Sequence, residues 1–364
     1  MIGQTVWMEL RTGWKGILVI SILVFIVANG MAQIYPAFKD TLTEDLEGAD
    51  MVDLIIPEDE NGNLTIFWDP LENVDMYFVL ESNSSSILTN SSKLIYMGTS
   101  TEITTPYNVS ETKYYAVMAM VNGSALPTLV GMDSTGEGFN PLQELMDNPG
   151  YEGFTGGRNI DFTEFKGFIS LELFSWLWIL VGMFMAYYSV SSVTSDFEKK
   201  RMDLIFSTPI SREQYMIEKF LALTVVSLII VLIGAVGLIS GVEAIGESNQ
   251  LDPATSFLSV FSMLTFLMII AAFGIFLAVT FRGGKAGMGI NIAFVFGSFI
   301  LLTISGFTEA LKGLKYVSIM HYWDYNSMLL DGVFNTGYFI GLLIASLIIL
   351  VVAVYIFKKR DIPA

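Results

Sequence analysis

The sequence predicts an α-helical integral membrane protein with six transmembrane helices and one inserted all-β domain. Hydrophobic residues make up 53% of the 364-residue chain and the mean hydropathy is +0.58, which exceeds the range of ordinary soluble domains. Six apolar runs are each long enough to cross a bilayer, which takes about 20 helical residues. A long polar and acidic stretch separates the first run from the other five.

The N-terminal part, residues 1–38, is predicted to contain the first span at about residues 16–37. Its apolar run is too long for a signal-peptide core, and no small-residue cleavage site follows it, so we expect a retained anchor. Arg11 and Lys15 precede the run and favour a cytoplasmic N-terminus. Asn29 lies inside the span, where an amide either faces a transport pathway or hydrogen-bonds to a neighbouring helix.

Residues 39–167 are predicted to be extracellular. The segment between residues 38 and 167 holds 22 Asp and Glu but only five Lys and Arg, so it carries the whole net charge of −17. Four short apolar runs alternate with turns that contain Gly, Pro and Asn, a pattern typical of a small antiparallel β-sandwich. We place this sandwich at about residues 50–131 and expect it to fold alone. The predicted strands cover residues 64–68, 76–80, 93–97 and 113–121.

The predicted sandwich resembles a fibronectin type III module. The run NLTIFWDPLENVDMYFVLES is similar to the second and third strands of that module, with Trp68 as the core tryptophan and Tyr77 on the following strand. The run KYYAVMAMVNGSA is similar to its sixth strand. The sequence departs from the family at the corner tyrosine, because Tyr114 and Tyr115 leave that register open. The resemblance implies a module that binds through surface loops.

The same region contains five N-x-Ser/Thr sequons, whereas its composition gives about two by chance. We expect an outer surface that can carry glycans. The alternative is a domain that is simply rich in Ser and Thr. The sequons begin at Asn63, Asn83, Asn90, Asn108 and Asn122.

Residues 140–167 are predicted to be a helical segment that returns the chain to the membrane. Glu172 then lies near the outer end of the second span, where an acidic side chain is either a transport-pathway residue or solvated at the surface. Residues 308–336 are rich in aromatic side chains and are predicted to form outer interfacial helices. The second to sixth spans, within residues 168–364, are predicted at about residues 168–193, 216–241, 255–281, 286–307 and 337–357.

The segment between the second and third spans, residues 195–220, reads SDFEKKRMDLIFSTPISREQYMIEKF. Its charged and hydrophobic residues predict an amphipathic helix on the membrane surface, which ends at the dipeptide Thr208-Pro209. Ser211 is predicted to cap the next helix, with Gln214 at the capping-box position. The alternative is a positive loop that only sets topology and contacts anionic lipid.

This loop resembles the coupling loop of type-2 ABC exporter permeases, in which an acidic and basic cluster precedes a Pro-x-Ser-Arg turn and a Lys. Here these are residues 198–201, residues 209–212 and Lys219. The dipeptide Asn148-Pro149 and the ending at residues 357–361 are also similar to the family, so the resemblance spans the whole chain. It implies that residues 194–219 form a coupling loop to an ATPase. The implied coupling residues are Asp196, Phe197, Glu198, Lys199, Lys200, Arg201, Met202, Asp203, Pro209 and Arg212.

Positive charge predicts the orientation of the spans. Of the 19 Lys and Arg, 12 lie in the short segments that six spans place on the inner side. We therefore expect a multi-pass protein of the cell membrane with both termini in the cytoplasm. A prokaryotic source, archaea included, is expected.

The sequence argues against an enzyme. The phosphate-binding pattern G-x-x-x-x-G-K-[ST] is absent, there is no Cys, and the single His, His321, cannot form a histidine metal site. The predicted spans contain almost none of the paired acids or bases that catalysis at membrane depth needs. We predict no catalytic residue, no metal site, no cofactor bound by this chain and no nucleic-acid partner.

The family resemblance implies a permease that works in the lipid bilayer with a second permease copy, as a homodimer or a heterodimer. Separate cytoplasmic ATPase subunits would bind ATP and Mg. The alternative is a multi-span adhesion or receptor protein whose sandwich binds an extracellular partner. Six spans and a charged middle loop exceed what a receptor needs, so the permease hypothesis is preferred.

Overall fold

The computed structural model describes residues 3–49, 52–55, 63–83, 92–106, 112–121, 127–135, 155, 158, 160–207, 209–281 and 284–359. The chain divides into two compact units. One unit, Met1–Pro36 with Pro149–Ala364, is built from helices, and the other, Ala37–Asn148, contains the β-strands.

Among the described residues, six helical segments have the length and composition of a membrane span, as the sequence predicts. The fourth span is divided into two helices, and shorter helices lie between the spans. After a four-residue helix at Phe165–Phe168 is set apart, the α-helices in chain order are α1 (Gln4–Ala49), α2 (Ser175–Glu198), α3 (Met202–Phe206), α4 (Arg212–Ile245), α5 (Pro253–Phe261), α6 (Met263–Thr280), α7 (Gly284–Phe307), α8 (Tyr325–Asp331) and α9 (Thr336–Lys359).

Helix α1 is longer than predicted. It begins at Gln4 and continues through Pro36 to Ala49, whereas the predicted span ends at residue 37. A proline inside a helix removes one backbone hydrogen bond, but its fixed φ is compatible with helical geometry. The change of composition at Pro36 therefore marks the end of the apolar run and not the end of the helix.

Helix α6 is the centre of the helical unit and contacts α2, α4, α7 and α9. The buried Asn291 of α7 connects three of these helices, because its Nδ2 donates to the carbonyl oxygens of Ala186 and Ile270 at 3.0 and 3.3 Å. The helices approach closely at Gly274, where a Cβ atom would lie 1.9 Å from Oγ of Ser189. This contact explains the need for glycine at that position.

Helices α1 and α4 run in the same direction and pack through small residues. A Cβ atom at Gly241 would lie 2.7 Å from the carbonyl oxygen of Asn29, and one at Gly234 would lie 2.9 Å from Cγ1 of Val24. Asn29 Nδ2 donates to Oγ of Ser240 at 3.0 Å. Asn29 thus forms the helix–helix hydrogen bond that was one of its two predicted roles.

A π-helical turn, Ile169–Phe174, lies directly before α2, and the fourth span is interrupted at Ser262. One side chain contacts both irregular places: the Nε1 of Trp323 donates to Oγ of Ser262 at 3.2 Å, and its ring contacts Phe174. Trp323 lies in the segment that was predicted to form outer interfacial helices. This segment contains the 3₁₀ helices Glu309–Val317 and Ile319–Tyr322 followed by α8.

The β unit is a sandwich of two antiparallel sheets. One sheet has the order β1-β2-β5 and the other has the order β4-β3-β6-β7. Inward-facing side chains of both sheets form one core, in which Trp68 of β2 packs edge-on against Tyr77 of β3 with 5.5 Å between ring centroids. The strands are β1 (Val52–Ile55), β2 (Asn63–Trp68), β3 (Val74–Ser82), β4 (Lys93–Gly98), β5 (Glu102–Pro106), β6 (Tyr114–Val121) and β7 (Thr128–Ser134).

The four predicted strands correspond to β2, β3, β4 and β6, and three further strands were missed. β5 has the sequence EITTP, which has little of the apolar alternation that marks a strand. β7 extends to Ser134, beyond the predicted boundary at residue 131, and Thr135 exchanges backbone and side-chain hydrogen bonds with Lys113. A fragment ending at residue 131 would therefore cut through an edge strand.

We predict that residues 51–136 fold alone as a disulfide-free β-sandwich, and that Trp68→Ala destabilises this fragment by about 3–5 kcal/mol, because it empties the centre of the core. Urea unfolding followed by circular dichroism measures both effects. Leu94→Ala, at an exposed position of β4, is the matched control and should stay within about 0.5 kcal/mol of wild type. A disordered or mainly helical spectrum of the fragment would contradict the prediction.

Candidate functional site

The predicted coupling loop, residues 194–219, connects α2 to α4 at what we call the loop end of the helical unit. The prediction of a single amphipathic helix is wrong, because α2 continues to Glu198, the chain then turns, and the short helix α3 follows. The turn is a Schellman motif, in which Arg201 N donates to Asp196 O and Lys200 N donates to Phe197 O. Lys200 occupies the left-handed position, with φ of 51°, where glycine is usual.

Helix α4 begins with the predicted cap at Ser211. Oγ of Ser211 accepts a hydrogen bond from Gln214 N at 3.1 Å and caps the helix. The side chain of Gln214 donates to Oε1 of Glu218 at 2.9 Å. Gln214 therefore stabilises the first turns of α4 by a hydrogen bond within the same helix.

Three helices meet at the buried ammonium group of Lys219 on α4. Its Nζ lies 2.5 Å from Oε2 of Glu9 on α1 and 2.8 Å from Oδ2 of Asp196 on α2, and it donates to Ser192 O at 2.7 Å. Tyr215 OH also donates to Asp196 Oδ2, at 2.8 Å. We call Lys219, Glu9, Asp196 and Tyr215 the ionic cluster.

The neighbouring Glu218 holds the beginning of α1. Its two carboxylate oxygens accept hydrogen bonds from Gly3 N at 3.1 Å and from Thr5 N at 2.9 Å. N–H groups in the first turn of a helix have no acceptor within the helix, and a carboxylate at this end also interacts favourably with the helix dipole. Two successive residues of α4 thus fix α1, one through its backbone and one through Glu9.

The end of α9 is held by an aromatic group and an arginine. The ring of the buried Phe357 lies 5.9 Å from Tyr215, 6.2 Å from Phe197 and 6.4 Å from Phe206. Nη1 of Arg212 donates to the carbonyl oxygens of residues 357 and 358 at 3.4 and 3.3 Å. The loop is therefore attached to the last span as well as to the first.

The implied coupling residues divide into those that are buried or half-buried and those that are exposed. Asp196 and Met202 are buried, Phe197, Arg201 and Arg212 are half-buried, and Glu198, Lys199, Lys200 and Pro209 are exposed. The side chain of Asp203 lies outside what the structure describes. The exposed residues, Pro209 apart, are charged and form an accessible surface, whereas the buried and half-buried residues join the loop to the helices.

The remaining predicted sites lie elsewhere. Glu172 is exposed on the π-helical turn. The sequon residues Asn63 and Asn83 are exposed in the β unit, and Asn90, Asn108 and Asn122 lie outside the described residues. Most of the predicted return segment, residues 140–154, is also outside them.

His321 is in contact with aromatic rings and not with a metal-ligand set. It packs edge-on against Tyr316 and Tyr322, and burial, followed by the charge of Lys315, lowers the pKa of His321. No group of His, Asp and Glu suited to a metal ion occurs in the part of the chain that the structure describes.

The sequence predicted no role for Glu9, Glu218 and Tyr215, and it marked Lys219 and Phe357 only as similar to the family, with no contact assigned. A signal existed for two of them, since Glu218 and Lys219 are charged residues inside the beginning of a predicted span, where charge is costly. Their partners could not be identified, because Glu9 is 210 positions away from Lys219 in the chain.

The six candidate spans, four of which are joined by the loop, are those of a multi-pass membrane protein. A family model described as "ABC-2 family transporter protein" matches residues 5–362. The chain therefore belongs to the ABC-2 transporter family, and it is a membrane permease component of an ABC transporter. Comparison with curated proteins and with solved structures gave no match.

We predict that Lys219→Met alone destabilises the protein by about 3–5 kcal/mol, because it leaves buried carboxylates without compensation. The neutral triple variant Lys219→Met, Glu9→Gln, Asp196→Asn should recover most of this loss. Thermal unfolding of the purified full-length protein measures the effect as a lowered apparent Tm. Lys200→Met, at an exposed position, is the control. A Lys219→Met protein as stable as wild type would show that the ionic cluster does not hold these helices.

Proposed function

We propose that this chain is the permease half of an ATP-driven exporter, that it works as a dimer with separate ATPase subunits, and that the loop from α2 to α4 is the docking site of the ATPase. The observation that carries the proposal is the division of the loop into two faces. Lys199 and Lys200 are exposed at the turn, while Asp196, Met202 and Phe206 attach the loop to the helices. A docking element needs both an accessible surface and a firm attachment.

The attachment suggests how force would be transmitted. ATP and Mg would be bound by the ATPase subunits, and closure of two such subunits would displace the loop. Because the loop is joined to α1, α2, α4 and α9, these helices would move as rigid elements relative to the rest of the helical unit. Such a motion suits alternating access around a pathway between two permease copies.

The orientation follows from charge. The loop, the beginning of α1 and the end of α9 carry nine of the 19 Lys and Arg and lie at one end of the helical unit. We propose that this end and both termini are cytoplasmic. Glu172, which is exposed on the π-helical turn, is then a pathway candidate on the outer side, whereas Asn29 is engaged between α1 and α4.

The β unit would be extracellular and fibronectin-like. Its seven described strands in two antiparallel sheets, with Trp68 in the core, agree with that resemblance. Its acidic surface would receive a cationic cargo or keep the domain soluble. We favour a docking or spacer role, because sandwich modules bind through surface loops. Asn63 and Asn83 are its exposed candidates for glycosylation.

The docking site is tested by reversing the exposed charges. We expect Lys199→Glu, Lys200→Glu to abolish copurification of the ATPase subunit, because the reversal replaces attraction by repulsion at an exposed surface. The control is Lys285→Glu, Lys359→Glu, an equal charge change at exposed positions outside the loop. Accessibility of the termini in sealed vesicles checks that the topology is unchanged. Normal ATPase capture by the loop variant would refute the assignment.

A further inference from the structure

We propose that Lys219 is a positioning residue that makes α1 move together with the loop, so that the first span is driven along with the second and third. This inference rests on the proposed function, because it assumes that an ATPase displaces the loop. It goes further in naming the residue that carries the displacement to a helix lying about 200 positions earlier in the chain.

The hydrogen bonds of Lys219 show why one residue can have this effect. A lysine ammonium has three N–H donors, and here all three have acceptors: Glu9 on α1, and Asp196 and the carbonyl of Ser192 on α2. Lys219 itself is on α4 and is fully buried. One charged group therefore joins three helices and has no donor left for water.

Burial makes this connection rigid. If α1 or α2 moved away from α4 at this level, a carboxylate or the ammonium would remain buried without its partner, which is strongly unfavourable. Apolar side chains at a helix interface can slide into new contacts at lower cost. The motion of lowest free energy is therefore one in which α1, the end of α2 and the beginning of α4 are displaced together.

A second contact fixes α1 independently. Glu218 binds the backbone of Gly3 and Thr5, so the first turn of α1 is attached to α4 even without the side chain of Glu9. Farther along, α1 comes close to Tyr188 of α2 at Gly13, where a Cβ atom would lie 2.0 Å from the tyrosine oxygen. Glu9 lies between these two contacts, and its ion pair with Lys219 ties the part of α1 around Glu9 to α4.

The natural absence of Cys allows a direct test with spin labels on engineered cysteine pairs. The first pair, Arg11→Cys with Leu221→Cys, reports the distance between α1 and α4 from two exposed positions. The second pair, Leu221→Cys with Ile290→Cys, reports movement of α4 relative to α7. The full-length protein is measured in nanodiscs, alone and with its copurified ATPase, without nucleotide and with a non-hydrolysable ATP analogue.

We expect the α1–α4 distance to be narrow and independent of nucleotide, while the α4–α7 distance changes when the analogue binds. Glu9→Gln keeps the side-chain size but removes the charge that pairs with Lys219. It should broaden the distribution of α1–α4 distances and make that distribution depend on nucleotide. It should also reduce, by about fivefold, the degree to which the permease stimulates ATP hydrolysis by the ATPase, which is the lower range of typical coupling between sites. ATPase binding should not change.

The matched control is Glu243→Gln, the same chemical change at an exposed position of α4. The neutral triple variant of Lys219, Glu9 and Asp196 serves as a second variant that keeps no uncompensated charge, and it should show the same broadening as Glu9→Gln. A purely structural role of the cluster would lower the apparent Tm without making the α1–α4 distance depend on nucleotide, and that result would overturn the proposal.

Different results would overturn the role of Lys219 and the proposed function. If the native chain captures no ATPase, the proposed function is wrong, and the α1–α4 distribution of the chain alone still decides whether Lys219 ties these helices. An equal width for wild type and Glu9→Gln would overturn the tie. In the wild type, the α1–α4 distance could also change with nucleotide as much as the α4–α7 distance does. That result would show that α1 is not carried with the loop.

Discussion

The buried ammonium group of Lys219 constrains the whole loop end of the helical unit. A lysine that is removed from water must be neutralised and hydrogen-bonded, and the acceptors come from two other helices. Glu9 therefore has to lie at the level of Lys219, which fixes the depth of α1, and Asp196 has to point inward at the end of α2. The same Asp196 supplies the carbonyl that accepts the closing hydrogen bond of the Schellman turn. The position of the exposed turn is thus a consequence of the buried charge.

The turn in its place determines which side chains face outward. Because Lys200 has a positive φ, α2 ends abruptly and α3 is directed back toward Phe357 of the last span. Lys199 and Lys200 remain exposed, while Met202 is buried. A continuous amphipathic helix on a membrane surface would instead present one long hydrophobic face to lipid. In the observed form, Met202 is buried and Phe206 packs against Phe357 of the last span, which agrees with the proposed docking of a protein partner.

Much of the architecture could be predicted from the sequence, because it depends on local patterns. Six apolar runs give six spans, and strands with clear alternation, such as β2 and β6, were identified. The strand β5 was missed because pairing with β2 compensates for its weak propensity. The break at Lys200 has no glycine to mark it. The ionic cluster depends on contacts between residues far apart in the chain, and no local pattern reveals which carboxylates approach Lys219. The ATPase-coupling role of the loop stays a prediction that the family membership supports.

The central claim is that a separate ATPase binds the exposed surface of the loop from α2 to α4. Single cysteines introduced into the otherwise cysteine-free chain, followed by cross-linking in membranes that contain the ATPase, test it most directly. We expect a cysteine at Ser207, next to α3, to cross-link to the ATPase, and one at Val333, exposed on the segment between α8 and α9, to give no product. Cross-linking at residue 333 but at no position from 199 to 209 would contradict this account of the protein.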